Sequence, residues 1–187
     1  MKKTLITTMI LFTCVASNFS SKAQGNGSVT ANITVTLADV LDIHIASAVG
    51  NNTNVPAFAF NTPAAYQNGV QQALADHLFV VASKAFQIKV AIGADLNDGN
   101  GNLIPAAAVT VLAADGSSGN SGKPAGTTYA PAVALSTTAT QILTTTGGTA
   151  LYKFNVTYTA GGGSNASHFL GKPNGNYTAT VTYTIEP

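Results

Sequence analysis

Strict alternation of apolar and polar residues is the feature that most constrains how this chain can fold. Successive side chains of a β-strand point to opposite faces of a sheet, so alternation is typical of strands with one buried and one wet face. The clearest alternating segments cover residues 28–37, 86–92, 152–160 and 177–185. Shorter apolar segments predict further strands at residues 41–45, 58–60, 78–82, 109–113 and 133–135.

Turn residues separate these segments, and helical patterns are almost absent. Asn-Gly and Asp-Gly pairs recur between the predicted strands and suit tight reversals of the chain. Residues 64–76 are the helix candidate, but Asn68-Gly69 interrupts them, so we expect at most one or two helical turns there. About nine short strands with frequent turns predict an all-β fold, an antiparallel immunoglobulin-like β-sandwich.

The N-terminus has the composition of a signal peptide. Lys2 and Lys3 precede an uncharged, largely apolar run over residues 4–16, and a small-x-small cleavage site ends at Ala23. We therefore predict a signal peptide over residues 1–23 and a single β-sandwich domain over residues 24–187, exported to the periplasm, the cell surface or the medium. A lipoprotein whose first residue is Cys14 is the less favoured alternative.

Composition limits the partners that the exported chain can have. Residues 24–187 contain no arginine and five lysines against seven carboxylates, so no basic surface for nucleic acid is expected. No apolar segment is long enough to span a bilayer. The one cysteine, Cys14, lies in the signal peptide, which leaves no disulfide and no thiolate metal site in the exported chain. We expect no cofactor.

Residues that could support catalysis are few. His44 alternates with Asp42 on the wet face of a predicted strand, His77 fits a turn at a strand edge, and His168 follows a glycine-rich loop. No nucleophile motif, phosphate loop or zinc-binding spacing accompanies these histidines. The prediction is that this protein is not an enzyme.

One polar loop contains the ligand types that calcium prefers. The oxygen-bearing side chains of residues 95–102 include Asp95, Asn97, Asp98 and Asn100, which form a weak calcium candidate. The loop departs from the EF-hand pattern, and a polar hairpin loop explains the same residues without an ion. The hairpin interpretation is favoured, and calcium binding stays the alternative.

The two terminal strands are the candidate interfaces. Both alternate cleanly and lack the inward charge or proline that blunts an exposed sheet edge, so either could pair with a neighbouring subunit. The alternative is that each strand closes its own sandwich, which is favoured for the C-terminal one. The predicted interface residues are Val29, Ala31, Ile33, Val35, Leu37, Tyr177, Val181, Tyr183 and Ile185.

The two alternating terminal strands and the lack of catalytic residues resemble bacterial surface β-sandwiches of the spore coat protein U-like and chaperone–usher pilin-like families. Gly175 before the C-terminal strand is similar to the pilin pattern, although Glu186 holds the penultimate place and the pilin disulfide is absent. The resemblance implies a structural or adhesive surface protein, a fibre or coat subunit that binds itself or other surface proteins.

The alternative function is a monomeric periplasmic or secreted domain that binds a carbohydrate or a protein. A carbohydrate-binding surface needs a shelf of exposed aromatic side chains. The chain has no tryptophan, and the aromatic residues outside the predicted inward positions are Tyr66, Tyr129 and Phe169.

Overall fold

The structure is a computed structural model that describes residues 30–45, 56–116 and 122–187. The chain divides into two units, Met1–Thr36 and Leu37–Pro187. Of the first unit, the structure describes residues 30–36, which lie in no helix or strand and are exposed. The predicted signal peptide, residues 1–23, lies outside the described residues, and the single-domain boundary at residue 24 stays a prediction.

The second unit is a sandwich of two antiparallel sheets. The strands are β1 Leu41–Ile45, β2 Val70–Ala82, β3 Gln87–Ile92, β4 Leu96–Asn97, β5 Leu103–Ile104, β6 Val109–Asp115, β7 Thr128–Tyr129, β8 Val133–Ala134, β9 Thr140–Thr144, β10 Thr149–Ala160 and β11 Val181–Glu186. One sheet has the order β1-β2-β10-β6-β8, the other has the order β11-β3-β9-β7, and β4 pairs with β5. The prediction of an all-β antiparallel sandwich is confirmed.

The hydrophobic core lies between the two sheets and is built from alternate positions of their strands. On β3 and just before it, the buried residues are Phe86, Ile88, Val90 and Ile92. On β10 they are Tyr152, Phe154, Val156, Tyr158 and Ala160. Both sets are the inward faces that alternation predicts for residues 86–92 and 152–160.

Strand β2 contains an irregularity that changes which side chains face the core. Opposite β10, Phe154 pairs with Leu78 and Val156 pairs with Leu74, so β2 has two more residues than its partner at this point. Asp76 adopts a φ of 51°, and its backbone N–H donates to Asn155 Oδ1 at 2.7 Å. Such a bulge locally bends the strand and redirects side chains. The strand begins at Val70, so the helix candidate over residues 64–76 is helical only in its first part.

The one α-helix is α1 Pro63–Asn68. Its N-terminus is capped by the Thr62 side chain, which accepts a hydrogen bond from the Ala65 N–H at 3.2 Å. It ends at Gly69, whose φ is 79° and where an added Cβ would lie 2.7 Å from the Ala160 carbonyl oxygen. The limit of two helical turns is confirmed. Two 3-10 helices, Ala106–Ala108 and Gly163–His168, complete the described helices.

Three strand predictions need correction. Residues 58–60 form no strand, although Phe58 and Phe60 pack against the core. The C-terminal strand begins at Val181, so Tyr177 precedes it. The strand predicted at residues 28–37 is wrong for residues 30–37, which have no paired neighbour among the described residues. Alternation predicts a face that could be buried, but a strand also needs a sheet to join.

Candidate assembly surface

Strand β1 has an apolar face that the rest of the sandwich leaves partly uncovered. Leu41, Ile43 and Ile45 pair with Ala82, Val80 and Leu78 of β2, so the three residues point to the same side as the core. Their β2 partners are at most 2% exposed, whereas Leu41 and Ile45 are 40% and 45% exposed. The edge of the core is therefore open along β1.

Strand β11 also has an apolar face that is only partly covered. Its inward residues Val181, Tyr183 and Ile185 pair with Ile92, Val90 and Ile88 of β3. The β3 residues are buried, but the β11 residues are only half-buried. Among the described strands, β3 is the one neighbour of β11 in its sheet, so the other edge of β11 is unpaired.

A groove joins these two edges, and we call it the β1–β11 groove. It has a volume of about 260 Å³ and is lined by Ile43, His44, Ile45, Val181, Thr182 and Tyr183. No lysine, arginine or carboxylate is among the lining residues. The groove is therefore suited to an uncharged segment with apolar side chains.

Tyr183 connects the groove to the core beneath it. Its hydroxyl is 2.5 Å from the Tyr158 hydroxyl on β10, and burial raises the pKa of Tyr183 above its usual value. The His77 ring lies edge-on to both tyrosines, at 6.0 Å from Tyr158 and 5.9 Å from Tyr183 between ring centroids. These contacts hold the β11 side of the groove against β2 and β10.

Residues 30–37, which we call the N-terminal segment, expose the apolar set that alternation identifies. Ile33, Val35 and Leu37 are 87%, 74% and 89% exposed, and Ala31 is exposed as well. Three large aliphatic side chains at every second position are unusual on a soluble surface, where such residues normally occur singly. Val29, the remaining predicted interface residue in this part of the chain, lies outside the described residues.

Polar contacts hold the chain just before β1. The Val40 N–H donates to Ser83 Oγ at 2.9 Å, and the Ser83 N–H donates to the Val40 carbonyl oxygen at 2.9 Å. Lys84 Nζ lies 2.6 Å from Asp39 Oδ2 in an exposed ion pair. These contacts fix the chain at Val40.

The predicted interface residues of the C-terminal strand lie in two different places. Val181 and Tyr183 line the β1–β11 groove, and Ile185 continues the same face of β11. Tyr177 lies before the strand and donates its hydroxyl to the Pro173 carbonyl oxygen at 3.0 Å. Leu41, Ile43 and Ile45 are not among the predicted interface residues, although their own alternation was a signal for them.

The three histidines do not form a site. His44 is exposed and stacks on Phe79, with 5.1 Å between ring centroids. His168 ends the second 3-10 helix. The turn predicted for His77 is wrong, because His77 lies within β2, is 1% exposed, and its Nδ1 has no hydrogen-bond partner among the described residues. Burial lowers the pKa of His77 from 6.5 to about 4.

The polar side chains of the 95–102 loop are bonded to the loop itself. Asp98 Oδ1 accepts from the N–H groups of Asn100 and Asn102 at 2.8 and 3.0 Å, and Asp98 Oδ2 accepts from Asn102 Nδ2 at 2.7 Å. Asn97 Oδ1 accepts from the Gly99 N–H at 2.6 Å. The hydrogen bond from the Asn102 side chain is the main interaction that lowers the pKa of Asp98.

The remaining calcium candidate, Asp95, stabilises a neighbouring turn. Its Oδ1 accepts from the Ala106 N–H at 2.8 Å. Within the described part of the chain, no group of three or more His, Cys, Asp or Glu residues is arranged to hold a metal ion. The geometry supports the hairpin-loop interpretation, and calcium binding stays the untested alternative.

The aromatic residues considered for carbohydrate binding have structural contacts. Phe169 is buried and stacks on Phe60 with 4.3 Å between ring centroids, and Tyr66 packs against the same Phe60 ring. Tyr129 is half-buried and donates its hydroxyl to Asp115 Oδ1 at 2.5 Å. The three residues therefore form no exposed aromatic shelf.

Asp115 connects Tyr129 to the sheet that contains β10 through hydrogen bonds. It also accepts a hydrogen bond from the Tyr152 hydroxyl at 3.1 Å and lies 2.8 Å from Lys123 Nζ. Burial acts to raise the pKa of Asp115, but the bonds from Lys123 and the two tyrosines outweigh it, so this pKa lies below its usual 3.8. The arrangement is a structural link between loops and strands.

Comparisons with known proteins identify no family for this chain. No protein-family model and no curated protein matches the chain. In the part of the chain that the structure describes, no helix is long and apolar enough to cross a membrane. The features that bear on function are therefore the exposed N-terminal segment and the open sandwich edge.

Proposed function

We propose that this protein is a secreted structural subunit of the bacterial surface that assembles with copies of itself through β-strand pairing. One observation carries the proposal: Ile33, Val35 and Leu37 are exposed at alternate positions of a segment that belongs to no described strand. A segment of this kind gains both backbone hydrogen bonds and apolar burial when it joins a sheet of another molecule.

Export is part of the proposal and is supported by the sequence alone. The two N-terminal lysines, the apolar run and the small residues near Ala23 are the pattern of a cleaved leader. The scarcity of charged and catalytic residues agrees with a protein that acts through its surfaces.

The test is a double substitution, Ile33→Asp with Val35→Asp, in the exported chain. Because both side chains are exposed, the variant should fold like the wild type. It should remain monomeric by analytical ultracentrifugation at concentrations where the wild type forms large assemblies, because burying two unpaired carboxylates is strongly unfavourable.

The matched control is Asn32→Asp with Thr34→Asp, which adds the same charge to the other face of the same segment. The control should still assemble, although more weakly if both faces become partly buried. A wild type that is monomeric throughout, or a double variant that assembles like the wild type, would contradict the proposed function.

A further inference from the structure

Strand β2 places a buried titratable side chain where the two sheets meet. His77 follows Asp76, whose φ of 51° is in the left-handed region that residues other than glycine seldom adopt. Backbone strain of this kind costs free energy, and it is concentrated at active sites and switch regions. We propose that His77 is an acid-responsive switch, whose protonation releases β11 from the sandwich before the rest of the fold opens. This inference goes beyond the proposed function, because it concerns the sandwich alone and not its assembly.

The His77 ring is enclosed by one tyrosine from each sheet. Its centroid lies 6.0 Å from that of Tyr158 on β10 and 5.9 Å from that of Tyr183 on β11, with the ring planes nearly perpendicular. Because β10 and β11 belong to different sheets, the hydrogen bond between the two tyrosine hydroxyls joins the sheets. His77 is 1% exposed, so water reaches its ring only when a neighbouring strand moves.

The protonated ring has no compensating partner in the folded state. An imidazolium carries an N–H on both nitrogens, and His77 Nδ1 has no acceptor among the described residues. The phenols of Tyr158 and Tyr183 remain neutral, since burial raises the pKa of each. Burying an unpaired charge is strongly unfavourable, which is why burial lowers the pKa of His77 from 6.5 to about 4.

The carboxylates on the surrounding strands are engaged elsewhere. In the described strands, the charged pairs are Asp76 with Lys153 between β2 and β10, Lys89 with Glu186 between β3 and β11, Asp115 with Lys123 at the end of β6, and Asp42 with the exposed His44 within β1. The residues paired with Tyr183 on β3 and with Tyr158 on β6 are valines. A proton on His77 is therefore accommodated by opening the sandwich around the ring.

β11 is the strand next to His77 that is held least firmly. Among the described strands it has one paired neighbour in its sheet, β3, and its inward side chains are half-buried. β10 lies between β2 and β6, and its inward side chains are buried. Local opening begins in elements with few buried apolar contacts. Because Tyr183 packs against His77, release of β11 admits water to the ring and allows it to bind a proton.

Hydrogen exchange of the exported chain, measured by mass spectrometry on peptides from β11 and β10, tests the switch. After correction for the intrinsic exchange rate, the protection of the β11 amides should fall by roughly 25-fold between pH 7.5 and pH 5.0, because the open state binds a proton at a pKa of 6.5 and the closed state at about 4. Low urea concentrations should leave this exchange unchanged, since a local opening exposes little surface. The β10 amides should be better protected and should respond steeply to urea.

Three variants assign the effect to His77. His77→Leu should show β11 protection that is independent of pH, because leucine binds no proton. Tyr183→Phe keeps a ring against His77 and removes only the hydroxyl, so protection should fall by roughly threefold to tenfold at both pH values while its pH dependence remains. His44→Gln is the control, since His44 is exposed, and it should behave like the wild type.

Two results of the exchange experiment would overturn the switch. One is equal β11 protection at both pH values in the wild type, or a pH dependence that persists in His77→Leu. The other is identical protection and urea dependence for β11 and β10, since β11 would then open only with the whole fold. Should His77→Leu fail to fold, NMR titration of the wild-type ring decides: it should titrate near pH 4, and titration near pH 6.5 would overturn the proposal.

Discussion

Acidification should destabilise this protein because His77 is held neutral in the core. Burial lowers the pKa of His77 from 6.5 to about 4, so the unfolded chain binds a proton near pH 6.5 that the folded chain binds only near pH 4. His77 therefore leaves the unfolding free energy unchanged above pH 6.5. Between pH 6.5 and 4 that free energy falls by about 1.4 kcal/mol per pH unit, which gives a loss of roughly 2.5 kcal/mol at pH 4.5.

The measurement is urea unfolding of the wild type and of His77→Leu at pH 7.5 and pH 4.5. Leucine binds no proton, so the variant should lose about 2.5 kcal/mol less than the wild type over this range. At pH 7.5 it should be at least as stable as the wild type, because the unpartnered Nδ1 is removed.

His44→Gln is the control, because its side chain is 56% exposed. Its pH dependence should follow that of the wild type. Parallel stability curves for the wild type and His77→Leu would refute the reasoning, since they would show that His77 binds its proton equally well in both states.

Further predictions concern packing, a carboxylate network, ion binding and processing. Gly148→Ala should lower the unfolding free energy by about 2–4 kcal/mol in denaturant unfolding, because its Cβ would lie 2.3 Å from a backbone oxygen; Gly93→Ala, with its nearest atom at 3.8 Å, should be nearly neutral. Asp115→Ala should cost about 1–2 kcal/mol in the same assay, because it leaves two tyrosine hydroxyls without their acceptor. Millimolar calcium should leave the melting temperature unchanged if the 95–102 loop is only a hairpin, whereas a chelator-sensitive rise would identify an ion site. Mass spectrometry of exported protein should find Gln24 as the first residue, and a lipidated Cys14 would contradict this.

The sequence predicted the position and the buried face of strands that alternate without interruption. Where a β-bulge interrupts the alternation, the sequence pattern led to a wrong prediction. In β2, the inward position between Val70 and Leu74 is taken by Gln72, so the two apolar residues appear at helical spacing. The bulge at Asp76 then places His77 in the core. Strand β9 was missed because its adjacent residues Ile142 and Leu143 are both buried at a register shift.

The candidate surface was predictable in its residues and not in its geometry. Alternation identifies Ile33 and Val35 as one face of a potential strand, but it cannot say whether that face is covered within the same molecule. The groove arises because β1 and β11, which are far apart in sequence, lie side by side at one edge of the sandwich. Only the strand order reveals such a long-range arrangement.

The polar contacts at Val40 have a mechanical consequence. Any tension applied through the N-terminal segment would enter the sandwich where Val40 and Ser83 exchange backbone and side-chain hydrogen bonds, beside the Asp39–Lys84 ion pair. Once these contacts break, the applied force would act on the five residue pairs that join β1 to β2. Substituting Ser83 by Ala should therefore lower the force needed to detach β1 in single-molecule pulling, even where the resting stability changes little.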